Sequence, residues 1–187
     1  MIGGAVCIVL EMLYGKEKNM WYVMQVCTGT ENKIKSQCLS YIDKEVLREC
    51  FVPLYEEKKR VQGKWQVTER IMFPGYVFVV TDDLSRLQLE LKKIVGLTRL
   101  LGTGDEIIPL NEEEVQMIQR FGGDDHVVGM SEGIIENSTV IIQRGPLAGC
   151  EAYIKKIDRH KRKAYLELEM FGRVQKIEVG LEIFAKS

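Results

Sequence analysis

The stretch Tyr76-Val-Phe-Val-Val80 has no polar face, because every position is aromatic or β-branched. A strand with no polar face is typical of the centre of a sheet, where both faces are buried. Pro74 and Gly75 precede it and indicate a tight turn, because proline fixes its φ angle and glycine accepts dihedrals closed to other residues. The pattern predicts a central strand entered through a sharp turn. The rings of Phe73 and Tyr76 at that turn are either core residues or an aromatic contact patch.

Three stretches repeat apolar residues at intervals of three and four, the spacing of an amphipathic helix. The first helix is predicted from Glu31 to Leu47, after a turn with an N-cap at Thr28-Gly-Thr30. The third is predicted after Asn111, which has Glu114 three positions on, in the manner of a capping box. The apolar positions of the three faces are Ile34, Cys38, Tyr41 and Ile42; Leu84, Leu87, Leu91 and Ile94; and Val115 and Ile118.

Strand patterns lie between these helices. A charged hairpin is predicted around Gln62-Gly63, because two strand-like runs flank this turn pair. The order β-α-β-β-β-α-β-α predicts an α+β sandwich with three helices on a mainly antiparallel sheet. The predicted strands are 21–26, a strand that starts at 50–54 and continues through 55–61, then 65–71, 76–80 and 97–101.

After residue 122 the pattern changes. Residues 122–133 are rich in glycine and aspartate and lack apolar periodicity, which predicts a flexible linker. Short strands separated by turns follow and predict a small five-stranded β-barrel; they are 140–143, 151–158, 164–170, 174–179 and 182–185. The predicted domains are 20–122 and 136–187, joined by a linker over 123–135.

Residues 1–19 differ from the rest of the chain. Ile2–Leu13 is apolar except for Gly3, Gly4 and Glu11, but it is shorter than the roughly 20 residues that span a bilayer. No basic residue precedes Lys16, so the segment does not resemble a secretion signal. We expect native translation to start at Met20, which the intact mass of the natively expressed protein would test.

Composition limits the classes of function. The net charge is −1, so a nucleic-acid-binding surface would have to be local; residues 136–187 carry ten Lys and Arg against seven Asp and Glu. The five cysteines include no C-x-x-C pair, which together with the missing secretion signal favours the cytoplasm and gives no zinc motif. The chain has no phosphate-binding loop and no nucleophile motif. We therefore expect neither an enzyme nor a cofactor or metal site.

Two sets of motifs give a resemblance. The second half contains Arg144-Gly-Pro-Leu-Ala-Gly149 and, further on, Met170-Phe-Gly-Arg173, and it resembles the KOW module, a small barrel of nucleic-acid-associated proteins. The first half contains Trp21-Tyr22, Phe73-Pro-Gly-Tyr76 and Pro109-Leu-Asn-Glu-Glu, and it resembles the N-terminal (NGN) domain of NusG transcription elongation factors. The resemblance covers the chain from Met20 onward.

The resemblance implies partners. In NusG-like proteins the face near the Phe-Pro-Gly-Tyr turn docks on the clamp helices of RNA polymerase, which implies a polymerase-binding role for Phe73, Pro74 and Tyr76, with Trp21 in support. The barrel of the family binds protein partners, such as a ribosomal protein or a termination factor. That implies a partner-binding role for Met170, Phe171 and Arg173. A monomer without a membrane partner is expected.

Within the family the chain resembles the LoaP branch, whose members are operon-specific processive antiterminators that read a structured leader RNA. This resemblance rests on Met170-Phe-Gly-Arg173, Val179-Gly-Leu-Glu-Ile183 and the basic run 155–163, whereas Cys150-Glu-Ala152 departs from the housekeeping pattern. Two alternatives stay open: a housekeeping NusG-type elongation factor and a ribosome-associated KOW protein.

Binding to leader RNA would need an exposed basic surface, because lysine and arginine supply phosphate contacts and shape selects folded RNA. The basic run 155–163 is either such a surface or a solubilising hairpin. The RNA-binding candidates of the first domain are Lys33, Lys35, Lys58, Lys59, Arg60, Lys64, Arg70, Lys92, Lys93 and Arg99.

Overall fold

The computed structural model describes residues 19–96, 99–103 and 106–186. Contacts divide the chain into two compact units. The first combines the chain up to Cys50 with Val77–Pro109, and the second combines Phe51–Tyr76 with the chain from Leu110 onward. Among the described residues, no helix is both long and apolar enough to cross a membrane.

A four-stranded sheet characterises the first unit, with the order β2-β5-β1-β6. Its strands are β1 (Met20–Gln25), β2 (Glu49–Phe51), β5 (Tyr76–Thr81) and β6 (Arg99–Leu100). All six residues of β5 are buried, and the strand lies between two neighbours, so the predicted central strand is confirmed. A short ladder of β7 (Gly102–Thr103) and β8 (Glu106–Ile107) follows. The predicted strand 97–101 lies partly outside the described residues, as do residues 1–18.

Helices α1 (Glu31–Tyr41) and α2 (Leu84–Leu91) also belong to the first unit. The prediction that α1 reaches Leu47 is wrong, because Ile42 adopts extended dihedrals. Val46 is still buried, and its carbonyl accepts a hydrogen bond from Thr81 Oγ1 at 2.6 Å. The apolar spacing near residue 47 therefore reflects a packed turn rather than another turn of helix.

The second unit begins with the predicted hairpin, β3 (Leu54–Val61) and β4 (Lys64–Ile71), whose register pairs Val61 with Lys64. Helix α3 (Glu112–Gly122) starts with the predicted capping box, in which Asn111 and Glu114 exchange side-chain-to-backbone hydrogen bonds at 2.9 Å. With α1 and α2, it completes three α-helices among the described residues.

A five-stranded sheet also belongs to the second unit, with the order β11-β10-β14-β13-β12. Its strands are β10 (Ser131–Glu136), β11 (Thr139–Arg144), β12 (Ile154–Asp158), β13 (Lys163–Met170) and β14 (Arg173–Lys186). The last two predicted strands are thus one long strand. The predicted fold class, an α+β sandwich with three helices followed by a small five-stranded β-barrel, is confirmed.

The segment predicted to be a linker has regular structure. It contains a 3-10 turn at Gly123–Asp125, then β9 (Val127–Val128) paired with β3, and the start of β10. Two paired residues are too few to show an apolar period, which is why the sequence pattern missed β9. The division into domains at residues 122 and 136 stays a prediction.

Candidate functional site

The predicted turn before β5 is present. Gly75 has φ 86°, in the left-handed region that favours glycine, and Tyr76 N donates to Phe73 O at 3.2 Å. The turn places Phe73 and Tyr76 in the interior, where they are 2% and 9% exposed, whereas Pro74 is exposed. Trp21, the fourth predicted polymerase-binding residue, is a buried residue of β1 in the first unit.

A third aromatic residue joins the pair in the second unit. The ring of Phe171 lies edge-on to Phe73, with centroids 5.6 Å apart, and tilted against Tyr76 at 5.5 Å. The guanidinium of Arg173 lies 5.4 Å from the centroid of the Tyr76 ring, within the range of a cation–π contact. The structure therefore brings two predicted polymerase-binding residues into contact with two predicted barrel partner-binding residues.

Phe171 occupies the two-residue turn between β13 and β14. Phe171 and Gly172 have φ 58° and 68°, and Met170 pairs with Arg173 across the turn. A phenylalanine in the left-handed region carries local strain that the surrounding contacts must offset. Its backbone N donates to Glu114 Oε1 at 2.7 Å, which fixes the turn. Met170, the third predicted partner-binding residue, is 1% exposed and serves the core.

A partly buried ion cluster, with Glu57 and Lys163 on its inner side, lies where β3 meets the five-stranded sheet. Lys163 Nζ contacts Glu57 and lies 2.8 Å from Glu178 Oε2, while Tyr55 Oη donates to the same Glu178 oxygen at 3.0 Å. Glu57 also accepts a hydrogen bond from Arg70 Nε at 2.9 Å. Each charge of this Lys163 cluster therefore has an opposite partner, as burial of charge requires.

The Lys163 cluster shifts the pKa values of its members. Burial alone would raise the pKa of Glu57, but hydrogen bonds from Lys163 and Arg70 outweigh it and lower the pKa. The pKa of Glu178 is lowered in the same way, by Lys163 and Tyr55 against burial. Burial opposes the charged form of Lys163, yet hydrogen bonds to both carboxylates raise its pKa. Burial and the charge of Glu178 raise the pKa of Tyr55 to about 12.

A second ion cluster lies one residue beyond Glu57 on β3 and four residues beyond Glu178 on β14. Glu182 accepts from Lys58 through one carboxylate oxygen and lies 2.8 Å from Arg162 Nη1 through the other. The Arg162 guanidinium lies 3.8 Å above the centroid of the Trp65 ring. Between the two clusters Gly180 leaves no room for a side chain, because a Cβ there would overlap Glu56 O and Met130 Sδ. The hairpin and β14 are therefore in direct contact.

The RNA-binding candidates fall into two groups. Lys33, Lys35, Lys92, Lys93 and Arg99 lie in the first unit, and Lys58, Lys59, Arg60, Lys64 and Arg70 lie in the second. Lys93 pairs with Glu90 at 2.6 Å, Lys58 with Glu182, and Arg70 with Glu57, whereas Lys59, Lys64 and Lys92 are exposed. The assignment of each to RNA stays a prediction.

An open groove of about 820 Å³ runs along the start of α3 and the β13–β14 turn. Its lining includes Glu113, Glu114, Glu167 and Glu169, so its charge disfavours a nucleic-acid backbone. The part of the chain that the structure describes contains no group of three or more His, Cys, Asp or Glu residues that could hold a metal ion.

Known proteins resemble most of this chain. The family model "Transcription termination factor nusG" matches residues 19–119. The transcription termination/antitermination protein NusG of Halalkalibacterium halodurans is 31% identical over 170 residues, covering 87% of this chain and 95% of that protein. The Bacillus subtilis (strain 168) protein of the same name is 31% identical over 171 residues, with 87% and 95% covered.

A solved structure gives an independent comparison of the fold. It is titled "Domain interaction in Thermotoga maritima NusG", and it aligns with a TM-score of 0.53 at 19% identity, over 90% of this chain and 96% of that chain. At that identity the match supports the fold.

Proposed function

The chain belongs to the NusG family of transcription termination and antitermination factors, and on that premise we propose that it is an operon-specific processive antiterminator. In this proposal it binds RNA polymerase through Phe73 and Tyr76, binds a structured leader RNA through basic side chains, and suppresses pausing and termination. It acts by binding and without catalysis.

One observation carries the polymerase part of the proposal: Phe73 and Tyr76 already accept an aromatic ring and a cation. Phe171 packs on both rings, and Arg173 lies over Tyr76. A buried aromatic pair that receives a neighbouring side chain has the chemistry of an interface anchor. We infer that polymerase presents an apolar side chain flanked by a cation to the same pair.

This assignment requires a rearrangement. While Phe171 and Arg173 occupy the aromatic pair, a second partner cannot reach it. Polymerase binding would therefore be accompanied by withdrawal of the β13–β14 turn, at the cost of the Phe171 contacts and the hydrogen bond to Glu114. The withdrawn turn would then present Phe171 and Arg173 to a further protein partner.

The RNA part of the proposal is tested with the full chain. We expect tighter binding to the leader RNA of its own operon than to a scrambled hairpin, because the aromatic pair offers no means of choosing an operon. Lys92→Gln with Lys93→Gln should lower the slope of log affinity against log salt by roughly 0.7–0.9 per lost phosphate contact. A salt series measured by fluorescence anisotropy gives both quantities.

Two outcomes of this test distinguish the operon-specific role from the placement of the RNA-binding surface. Equal affinity for leader and scrambled RNA contradicts the operon-specific role. A preserved preference with an unchanged slope in the double variant contradicts only the placement on Lys92 and Lys93, and it moves the surface to Lys33 and Lys35 or to the hairpin.

A second candidate is the general elongation factor of the family, because both relatives at 31% identity carry the name transcription termination/antitermination protein NusG. Deletion of the gene distinguishes the two. Loss of distal transcripts from one or a few long operons supports the specialised factor, whereas a genome-wide change in pausing or loss of viability supports the general one.

A further inference from the structure

We propose that Lys58, Arg162 and Trp65 form a binding site for an RNA phosphate and its adjacent base, and that Glu182 occupies the phosphate position in the structure. The proposal rests on the proposed function, in that it takes the chain to bind RNA. It adds a site that combines the hairpin with the β12–β13 turn, and a carboxylate that competes with the ligand.

The position of Glu182 is the first observation. Its side chain is only 13% exposed, and its two oxygens contact two different cations, Lys58 from the hairpin and Arg162 from the turn before β13. A phosphodiester likewise offers two charged oxygens to neighbouring donors, and lysine and arginine both bind phosphate. The two cations are therefore already arranged around one bidentate anion.

The ring of Trp65 is the second observation. The guanidinium of Arg162 stacks at 3.8 Å over this ring, which is still 42% exposed. Exposed aromatic rings and arginine planes beside a cationic groove are the usual platforms for unpaired bases. An anion site beside a stacking surface matches the phosphate and the base of one nucleotide in a single strand or a loop.

The charges around the site are the third observation. The hairpin tip adds Lys59, Arg60 and Lys64, and the β12–β13 turn adds Arg159, His160 and Lys161, and all six are exposed. Asp158 is the nearby acid in this turn, and it accepts a hydrogen bond from Lys161 N at 2.9 Å. The two most basic stretches of the sequence thus meet at the Trp65–Arg162 contact, which gives a track for further phosphates.

The site has a consequence for the structure of the second unit. A phosphate that takes both cations releases Glu182 and removes the ion pairs that join β14 to the hairpin at this point. RNA binding and the Lys58–Glu182 pair are then mutually exclusive. By linkage, whatever weakens the hold of Glu182 on the two cations, while leaving the cations in place, strengthens RNA binding.

The test uses a fluorescently labelled 12-nucleotide oligouridylate and the full chain. Glu182→Gln should raise the affinity about three- to tenfold, because it removes the competing anion, whereas Lys58→Gln should lower the affinity and reduce the salt slope by roughly 0.7. Trp65→Ala should weaken binding on the order of tenfold, as loss of one stacked base does. The matched control is Glu167→Gln, which changes the net charge equally at the Lys176 pair.

Each variant is first compared with the wild type by circular dichroism and thermal melting. The proposal is overturned if Glu182→Gln binds no more tightly than Glu167→Gln, if Lys58→Gln binds like the wild type, or if the oligouridylate does not bind to any variant. Because the probe carries no leader sequence, success here together with equal affinity for leader and scrambled RNA would retain the site and reject the operon-specific role.

Discussion

Phe73→Ala is expected to lower the affinity for RNA polymerase by about 30-fold or more, since buried aromatic anchors contribute roughly 2 kcal/mol or more at interfaces. Phe73 is 2% exposed and lies at the centre of the contact with Phe171 and Tyr76. Truncation of a buried phenylalanine also costs about 3–5 kcal/mol of folding stability. Binding is therefore measured by biolayer interferometry at a temperature where circular dichroism shows the variant folded.

Two further variants make this result specific. Phe184→Ala makes the same truncation at a residue that is 61% exposed, and it should bind polymerase like the wild type. Phe171→Ala should bind more tightly, because it removes the ring that covers Phe73 and Tyr76. Wild-type affinity in a folded Phe73→Ala variant would contradict the docking assignment, and reduced affinity in Phe171→Ala would contradict the proposed withdrawal of the turn.

Lys163→Gln is expected to reduce the free energy of unfolding by about 3 kcal/mol at neutral pH, the lower part of the range for removing one partner of a buried ion pair. Glu57 is 6% exposed at its side chain and loses its inner partner. The effect stays in the lower part of the range because Arg70 still pairs with Glu57 and Glu178 is partly exposed. Urea unfolding measures the change.

The pH dependence of this effect follows from the pKa directions. The lowered pKa values of Glu57 and Glu178 mean that their contribution is present at neutral pH and is lost as the pH falls through those values. The difference in the free energy of unfolding between the wild type and Lys163→Gln should therefore become smaller as the pH falls. Lys176→Gln, at an exposed pair with Glu167, is the matched control and should change stability little. A constant difference at all pH values would contradict the ion-cluster account.

Sequence patterns predicted the elements whose cause is local. Five consecutive apolar residues predicted the buried strand β5, and Asn111 with Glu114 predicted the start of α3, because periodicity and capping act within a few residues. The end of α1 and strand β9 were missed because their causes lie outside the local sequence. A packed turn around Val46 imitates helical spacing, and β9 depends on pairing with β3.

The candidate site was only partly predictable. Motifs identified Phe73, Tyr76, Phe171 and Arg173, but no local pattern shows that residues 98 positions apart share one aromatic cluster. The contacts of Glu182 could not be predicted either, since its partner Lys58 lies 124 positions away in the sequence. The signal in the sequence was compositional: the hairpin and the 155–163 run are both basic, and Glu182 is an acid between the apolar residues Leu181 and Ile183.

The most direct test of the proposed function is single-round transcription in vitro on a template that carries the chain's own operon leader upstream of a terminator. An operon-specific antiterminator should raise readthrough on this template and leave readthrough on a template with a scrambled leader unchanged. Equal readthrough on both templates, or no change on either, would contradict operon-specific antitermination.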